Sequence, residues 1–478
     1  MLCLYLELMI IRWLAADFRA FTIFKTFPLA TCFIGIGLGY ALANKKYFVW
    51  APWALLLFVA IVQMAVCFGF WHWHFPSISV YSWQDKSMSG GELWLYVASF
   101  TAWLLVVLSG PFLLMTALGS KLGDMFNRLS PLQAYCVNIG GSIAGSLLYS
   151  AVAFLGWAPW LALAPAAVLL CLYAPQANLV LKLAPALLAV LLAWVNVDPS
   201  ANVSTRWSPY QRLDSWPYLL SSLEPNNAPP ADWGSTISSN GHFFLHAIGL
   251  RDSDLNRQDV SAKLTDRLKE HARNYNFPYK IKAAKSVLIL GAGAGNDVAA
   301  ALRHGAAHVD AVDIDPVILT LGKELHPERP YSDARVTVIC NDARDFLNNA
   351  KSHYDLIVIA GLDSQTVTGK GSAVRLDNYV YTKESIQSAL KLLNKDGLLI
   401  LSFCKSRDYI ENRMYHTVQA AAGYAPVVVC DTSAPELPWQ IYLTGPAMAN
   451  KAAMPADISP FAVPAPPTER PSRRLTDD

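Results

Sequence analysis

The residues best equipped for chemistry stand at 290–297, where the chain reads Leu-Gly-Ala-Gly-Ala-Gly-Asn-Asp. Gly291, Gly293 and Gly295 follow an apolar run, Ser286–Leu290, and open a segment that reads as a helix, Asp297–His304. Glycines let backbone approach a ligand closely, and a helix N-terminus offers free N–H groups. Asp313 comes about 22 residues after Gly291 and ends the next apolar run. An acid at that place accepts from both hydroxyls of a ribose. Asp342, in Cys340-Asn-Asp-Ala-Arg-Asp345 after the third run, is placed to accept from an adenine amino group. A dinucleotide site wants G-x-G-x-x-G, and here the third glycine comes one position early. The pattern therefore suits an adenosyl group without a pyrophosphate. The competing reading is that Asp313 and Asp342 only cap the helices that follow them.

Those residues need strand ends to hold them. Apolar runs at Ser286–Leu290, His308–Asp313, Arg335–Ile339, Asp355–Ala360, Gly397–Phe403, Pro426–Cys430 and Gln440–Thr444 read as strands. Asp297–His304, Pro316–Leu325, Thr382–Leu393 and Ser406–Ala421 read as helices between them. Strand–helix alternation predicts a parallel, doubly wound sheet. The last two strands adjoin without a helix, which predicts an antiparallel pair at the sheet edge. The arrangement is typical of a Rossmann-like, methyltransferase-type α/β domain, expected over 286–445. Residues 199–285 read as a linker and small β-rich subdomain, and 446–478 as a disordered Ala/Pro-rich tail.

The first 198 residues are a different material. The chain has 478 residues and a mean hydropathy of +0.28. Residues 1–200 hold only 9 Lys/Arg and 6 Asp/Glu, and the remaining 278 hold 29 and 30. Apolar stretches near Thr26–Ala43, Tyr47–Phe70, Leu93–Leu118, Leu132–Leu155, Trp157–Ala174 and Leu179–Val197 approach the roughly 20 residues that cross hydrocarbon. A shorter run, Met1–Leu14, precedes them. The expectation is a multi-pass α-helical membrane domain of six to seven spans, with the lipid bilayer as partner. Gly35, Gly37, Gly39, Gly141 and Gly145 read as places of close helix approach. Eight scattered cysteines without metal spacing predict neither disulfides nor a metal site. A net charge of +2 gives no case for nucleic acid.

With these motifs in view, the sequence resembles the membrane-fused bacterial branch of the polyamine aminopropyltransferase (spermidine synthase) family. Val287–Gly295 looks like its glycine motif, Val312-Asp-Ile-Asp315 its ribose motif and Asn341–Phe346 its adenine motif. Trp207-Ser-Pro-Tyr-Gln211 resembles the element whose glutamine faces the donor, and Tyr379–Glu384 the tyrosine-bearing segment after the active-site loop. In the helical part, Tyr135-x-x-Asn138-x-x-Gly141-x-x-x-Gly145 looks like a motif of the fused branch. The resemblance implies a donor of the S-adenosylmethionine type, decarboxylated or not, and a small amine or other small-molecule acceptor. It implies donor contacts from Gln211, Gly291, Gly293, Gly295, Asp313 and Asp342, and catalytic roles for Asp363 and Tyr379. It also implies a bacterial inner-membrane protein and allows a homodimer. Basic residues in alternate loops would put the soluble part outside. A donor made in the cytosol favours the cytoplasmic side, which is the expectation adopted.

Two positions depart from the family. Its loop after the fourth strand reads Asp-x-x-Asp-Pro, whereas this chain has Ala360-Gly-Leu-Asp363-Ser364. The family acid within the glycine motif is Ala294 here, with Asp297 close by. Asp363, Asp377, Tyr379 and Tyr381 are the groups that could compensate. These departures keep two alternatives open: an S-adenosylmethionine-dependent methyltransferase, and a non-catalytic nucleoside-sensing domain on a transporter-like membrane module.

Overall fold

The computed structural model describes the chain except residues 44, 71–72, 74–89, 174–178, 196–202, 219–232, 258–261, 363–378, 405–407, 431–438 and 450–478. Internal contacts divide it into two units, Met1–Asp214 with Ser238–His242, and Ser215–Ile237 with Phe243–Asp478.

The first unit is mainly helical. Gly90–Phe126 and Pro131–Phe154 are long and apolar enough to cross a membrane. The other four expected spans fall on helices Thr26–Leu42, Ala51–Cys67, Pro159–Tyr173 and Leu179–Trp194, of 15 to 17 residues each. Pro165 and Pro185 stand inside two of them. Helix Leu2–Asp17 is the most enclosed, with Tyr5, Leu6, Ile10, Trp13 and Leu14 buried. Gly35 and Gly39 pack against Gly90–Phe126, and a Cβ at Gly39 would stand 2.7 Å from the Ser120 amide nitrogen. Gly37, expected to share that role, faces open space.

Four strands form a small sheet of order β1-β2-β3-β4: β1 Ser204–Trp207, β2 Arg212–Pro217, β3 Gly234–Ser239 and β4 His242–Ile248. The division between the units runs through this sheet. A 20-residue helix, Ala262–Ile281, follows it.

The second unit centres on a seven-stranded sheet. Its strands are β5 Ser286–Leu290, β6 His308–Asp313, β7 Val336–Cys340, β8 Tyr354–Ile359, β9 Leu393–Cys404, β10 Val427–Cys430 and β11 Trp439–Thr444. They lie in the order β10-β11-β9-β8-β5-β6-β7. The pairs from β9 to β7 are parallel, and β11 runs antiparallel to both β9 and β10. The expected antiparallel pair is therefore present at one edge. Both faces of the central strands are covered, which is why they are near-continuous apolar runs. Leu288, Leu290, Ile357 and Ile359 join one buried cluster, and Val287, Ile289, Leu356 and Val358 another. That alternation is the period of two expected of a strand. Register sets Leu290 beside Val312 and Ile359, and Asp313 beside Cys340. The C-terminal ends of β8, β5, β6 and β7 thus stand in a row.

Candidate active site

The glycine loop turns tightly off β5. The amides of Gly291 and Ala292 both donate to the Val312 carbonyl, at 2.9 and 3.0 Å. Gly291 and Gly293 take φ of +76° and +56°, where other residues are strained. A methyl on Gly291 would also overlap the Leu362 side chain. Gly295, at φ +102°, stands at the N-cap of helix Asn296–Arg303, and a methyl there would meet Pro330 Cγ at 2.8 Å. The three glycines serve turn and packing alike.

Asp313, at the end of β6, ties this loop to the neighbouring strand. Its Oδ2 accepts from the Gly293 amide at 2.9 Å, and its Oδ1 from the Asp315 amide at 2.9 Å. It is no helix cap. That task falls to Asp315, whose Oδ1 accepts from the Val317 amide at 2.9 Å. Burial pushes the Asp313 carboxyl up to about 6, against the pull of the Asp315, Gly293 and Ile314 amides. Asp342 does cap a helix: its Oδ1 accepts from the amides of Arg344 and Asp345, at 2.9 and 3.0 Å. Capping fixes the carboxylate at the end of β7 and leaves ligand contact compatible with it.

At the end of β8, Ala360 donates its amide to the Leu290 carbonyl at 3.0 Å and is 8% exposed. The fully buried Tyr381 spans the next turn, its hydroxyl donating to the Ala360 carbonyl at 3.3 Å and accepting from the Leu362 amide at 3.2 Å. Tyr379 is 42% exposed, and its carbonyl accepts from Thr382 Oγ1 at 3.3 Å. Of the two tyrosines, Tyr381 is the one built into the strand end. Asp363 and Asp377 lie outside the described residues. So does the expected tail from residue 450 onward, while Pro446–Ala449 is helical.

Gln211 belongs to the first unit, in a turn built on Ser208. Ser208 donates its amide to the Gln211 carbonyl at 2.9 Å, and its hydroxyl accepts from the Tyr210 and Gln211 amides at 3.1 and 3.0 Å. Ser239 Oγ donates to Gln211 Oε1. The Arg12 guanidinium lies 5.2 Å over the Trp207 ring and donates to the Ser208 carbonyl. The next residue, Arg212, pairs with Asp17 at 2.8 Å and Asp214 at 2.9 Å.

Tyr331 carried no signal in the sequence. Its hydroxyl donates toward the carbonyls of Ala292 and Gly293, at 3.1 and 2.7 Å, and steadies the glycine loop from a segment between elements. Asp297, close in sequence to the acid missing at Ala294, lies in the first turn of its helix, and its charge reaches Tyr275, Tyr279 and Tyr331. Burial pushes its carboxyl up to about 6. Among the described residues no group of three or more His, Cys, Asp and Glu could hold a metal.

A mostly parallel sheet with a glycine turn and acids at successive strand ends places the second unit among Rossmann-like α/β domains. Within that class, residues 275–448 match the family model of the spermine/spermidine synthase domain. The polyamine aminopropyltransferase of Ruegeria sp. (strain TM1040) is 30% identical over 122 residues, 25% of this chain and 40% of that relative. The enzyme of the same name from Korarchaeum cryptofilum (strain OPF8) is 30% identical over 119 residues, 24% of this chain and 34% of its own length. The chain thus spans two-fifths or less of these curated relatives. The crystal structure of spermidine synthase from Thermotoga maritima aligns with 58% of this chain and 81% of its own, at 14% identity and a TM-score of 0.37.

Proposed function

We propose that the chain is a membrane-bound transferase that takes an adenosyl-sulfonium donor, decarboxylated S-adenosylmethionine, and passes its aminopropyl group to an amine. The observation that carries this reading is Asp313, joined through one carboxylate to the glycine loop and to the turn after β6, in a domain matching the spermine/spermidine synthase family. In this reading, ribose hydroxyls donate to Asp313 and adenine to Asp342. The glycine loop lets the backbone approach the adenosyl group.

In the transfer, the lone pair of a neutral amine forms a bond to the propyl carbon beside sulfur. The C–S bond breaks, its electron pair stays on sulfur, and a neutral thioether leaves. The nitrogen then loses a proton. General-base help in such a step is worth roughly 10²–10⁴-fold. Ala360 supplies none, so the proposal gives Asp363 that task, with Tyr379 or Tyr381 beside it. Methyl transfer from S-adenosylmethionine is the second reading, favoured by that same Ala360. The two differ in product: 5′-methylthioadenosine with an aminopropylated amine, or S-adenosylhomocysteine with a methylated acceptor.

The membrane part of the proposal rests on two long helices whose apolar side chains point outward. Only 33% and 17% of their most apolar stretches are buried, and Leu105, Leu132 and Leu147 are 67%, 74% and 66% exposed. Water would penalise such a surface and lipid would not.

Thermal unfolding of the full chain in detergent tests the donor. A bound ligand stabilises by RT ln(1 + [L]/Kd), about 2.7 kcal/mol at 100 times Kd. Decarboxylated S-adenosylmethionine or 5′-methylthioadenosine should raise the melting temperature where NAD does not. An equal response to all three, or none, would remove both transferase readings.

A further inference from the structure

Gly293 is held from both sides. Its amide donates to Asp313 Oδ2 at 2.9 Å. The two carbonyls that flank it, of Ala292 and of Gly293 itself, face the single hydroxyl of Tyr331 at 3.1 and 2.7 Å. The Ala292 carbonyl and the Gly293 amide belong to one peptide plane. A hydroxyl that fixes the carbonyl end therefore aims the amide end. At φ +56° a glycine offers little steric resistance of its own to turning that plane. The Tyr331 ring is closely packed. It is 7% exposed, and a Cβ on Gly295 would stand 3.4 Å from its Cζ, one on Gly322 2.7 Å from its Cε2. It comes from the short turn Pro330–Ser332 ahead of β7, outside the glycine loop.

We infer that Tyr331 is a positioning residue, whose hydroxyl sets the Ala292–Gly293 peptide plane and through it the carboxylate offered to the donor ribose. The inference deepens the donor reading above and rests on it. Hydrogen bonds in series polarise one another, so donation to the Ala292 carbonyl strengthens the Gly293 amide as a donor to Asp313. That amide favours the ionised carboxylate, the form that only accepts and so suits ribose hydroxyls. Burial opposes it and holds the group at about 6. The other groups facing Asp313 are Asp315 on its own turn and the Cys340 thiol of β7, and Asp297 faces Tyr331. All of them remain when the Tyr331 hydroxyl is removed.

The test follows 5′-methylthioadenosine affinity against pH in the full chain in detergent. The unmodified chain should bind more tightly as pH rises through about 6, where Asp313 ionises. In Tyr331→Phe, which keeps the ring, that midpoint should rise by at least half a unit, so that affinity falls about threefold more at pH 5 than at pH 8. Asp313→Asn should bind weakly at every pH and show no such midpoint. A uniform loss in Tyr331→Phe, or no loss, with the midpoint unmoved overturns the inference and leaves Asp313 in its role. If Asp313→Asn keeps both affinity and midpoint, or the unmodified chain binds no 5′-methylthioadenosine, the donor reading falls and the inference with it. Should Tyr331→Phe fail to fold, 3-fluorotyrosine at position 331 alone decides. Its more acidic hydroxyl donates more strongly and should lower the midpoint, and an unmoved midpoint again overturns the inference.

Discussion

Asp313 serves structure through both carboxylate oxygens, and the proposed function asks it to serve a ligand as well. Its two oxygens already accept amides of the glycine loop and the β6 turn, and each retains a lone pair for a hydroxyl. Its folded value of about 6 lies above the ordinary aspartate value near 4. Between about pH 4 and 6 the folded chain therefore holds a proton that the unfolded chain has lost. Stability from this group falls as pH rises across that window. Asp297 is shifted the same way and adds to the slope. Donor hydroxyls favour the ionised Asp313 and pull its value back down. Binding at pH 6 should then release about half a proton. Calorimetry of the full chain in two buffers of different ionisation enthalpy reads this directly. Asp313→Asn should abolish the release and weaken binding at least tenfold, whereas a wild-type chain that binds without proton release would show that the donor does not use this carboxylate. The sequence placed Asp313 and Asp342 at strand ends but could not divide their work. Capping depends on which amide each oxygen meets, and Asp315 took the cap that Asp313 was offered.

At the scale of elements, what could be read was what burial writes into a sequence. The seven strands of the large sheet were legible because each carries an apolar run; the central β5 and β8 are covered on both faces, while the edge strand β7 has Val338 exposed. Helix Ala343–Asn349 was not, because it buries only Leu347 and so carries no apolar stripe. Ala262–Ile281 was read as linker: it is polar along most of its length and holds Pro278 in its last turn. The tyrosine segment was ambiguous for a similar reason. Tyr379 and Tyr381 look alike in sequence, and only the turn after β8 distinguishes the exposed one from the buried one. That difference is testable. Tyr381→Phe keeps the ring against Phe403, 5.3 Å away, but removes the hydroxyl from Leu362 and Ala360. The loss of such a buried bond should cost about 1–2 kcal/mol in stability. Loosening the turn after β8 should also lower kcat for amine transfer while leaving 5′-methylthioadenosine affinity within a factor of two. Unchanged kcat with reduced stability would reduce Tyr381 to a packing residue.

The chain joins two stretches of different charge content, and the membrane reading proposed for the first makes a prediction at this scale. Fifteen formal charges in the first 200 residues against 59 in the rest leave the helical unit without the polar coat that water requires. Its own structure points the same way. Where Gly35 and Gly39 meet Gly90–Phe126, helices approach backbone to backbone, as small residues permit in lipid. The faces turned away from such contacts carry Phe33, Ile34, Leu105, Leu132 and Leu147, all more than half exposed. A soluble bundle would bury those side chains against another element. A hydrocarbon-soluble photoreactive probe, dissolved in membranes that contain the chain, should therefore attach to peptides bearing Leu105, Leu132 and Leu147. It should spare Val287–Leu290, whose side chains are fully buried in the large sheet. Alkaline carbonate should leave the chain in the membrane pellet, and detergent should release it. Extraction by carbonate alone, with labelling no stronger on Gly90–Phe126 and Pro131–Phe154 than on the second unit, would mean that these helices cover one another or a partner protein and not lipid.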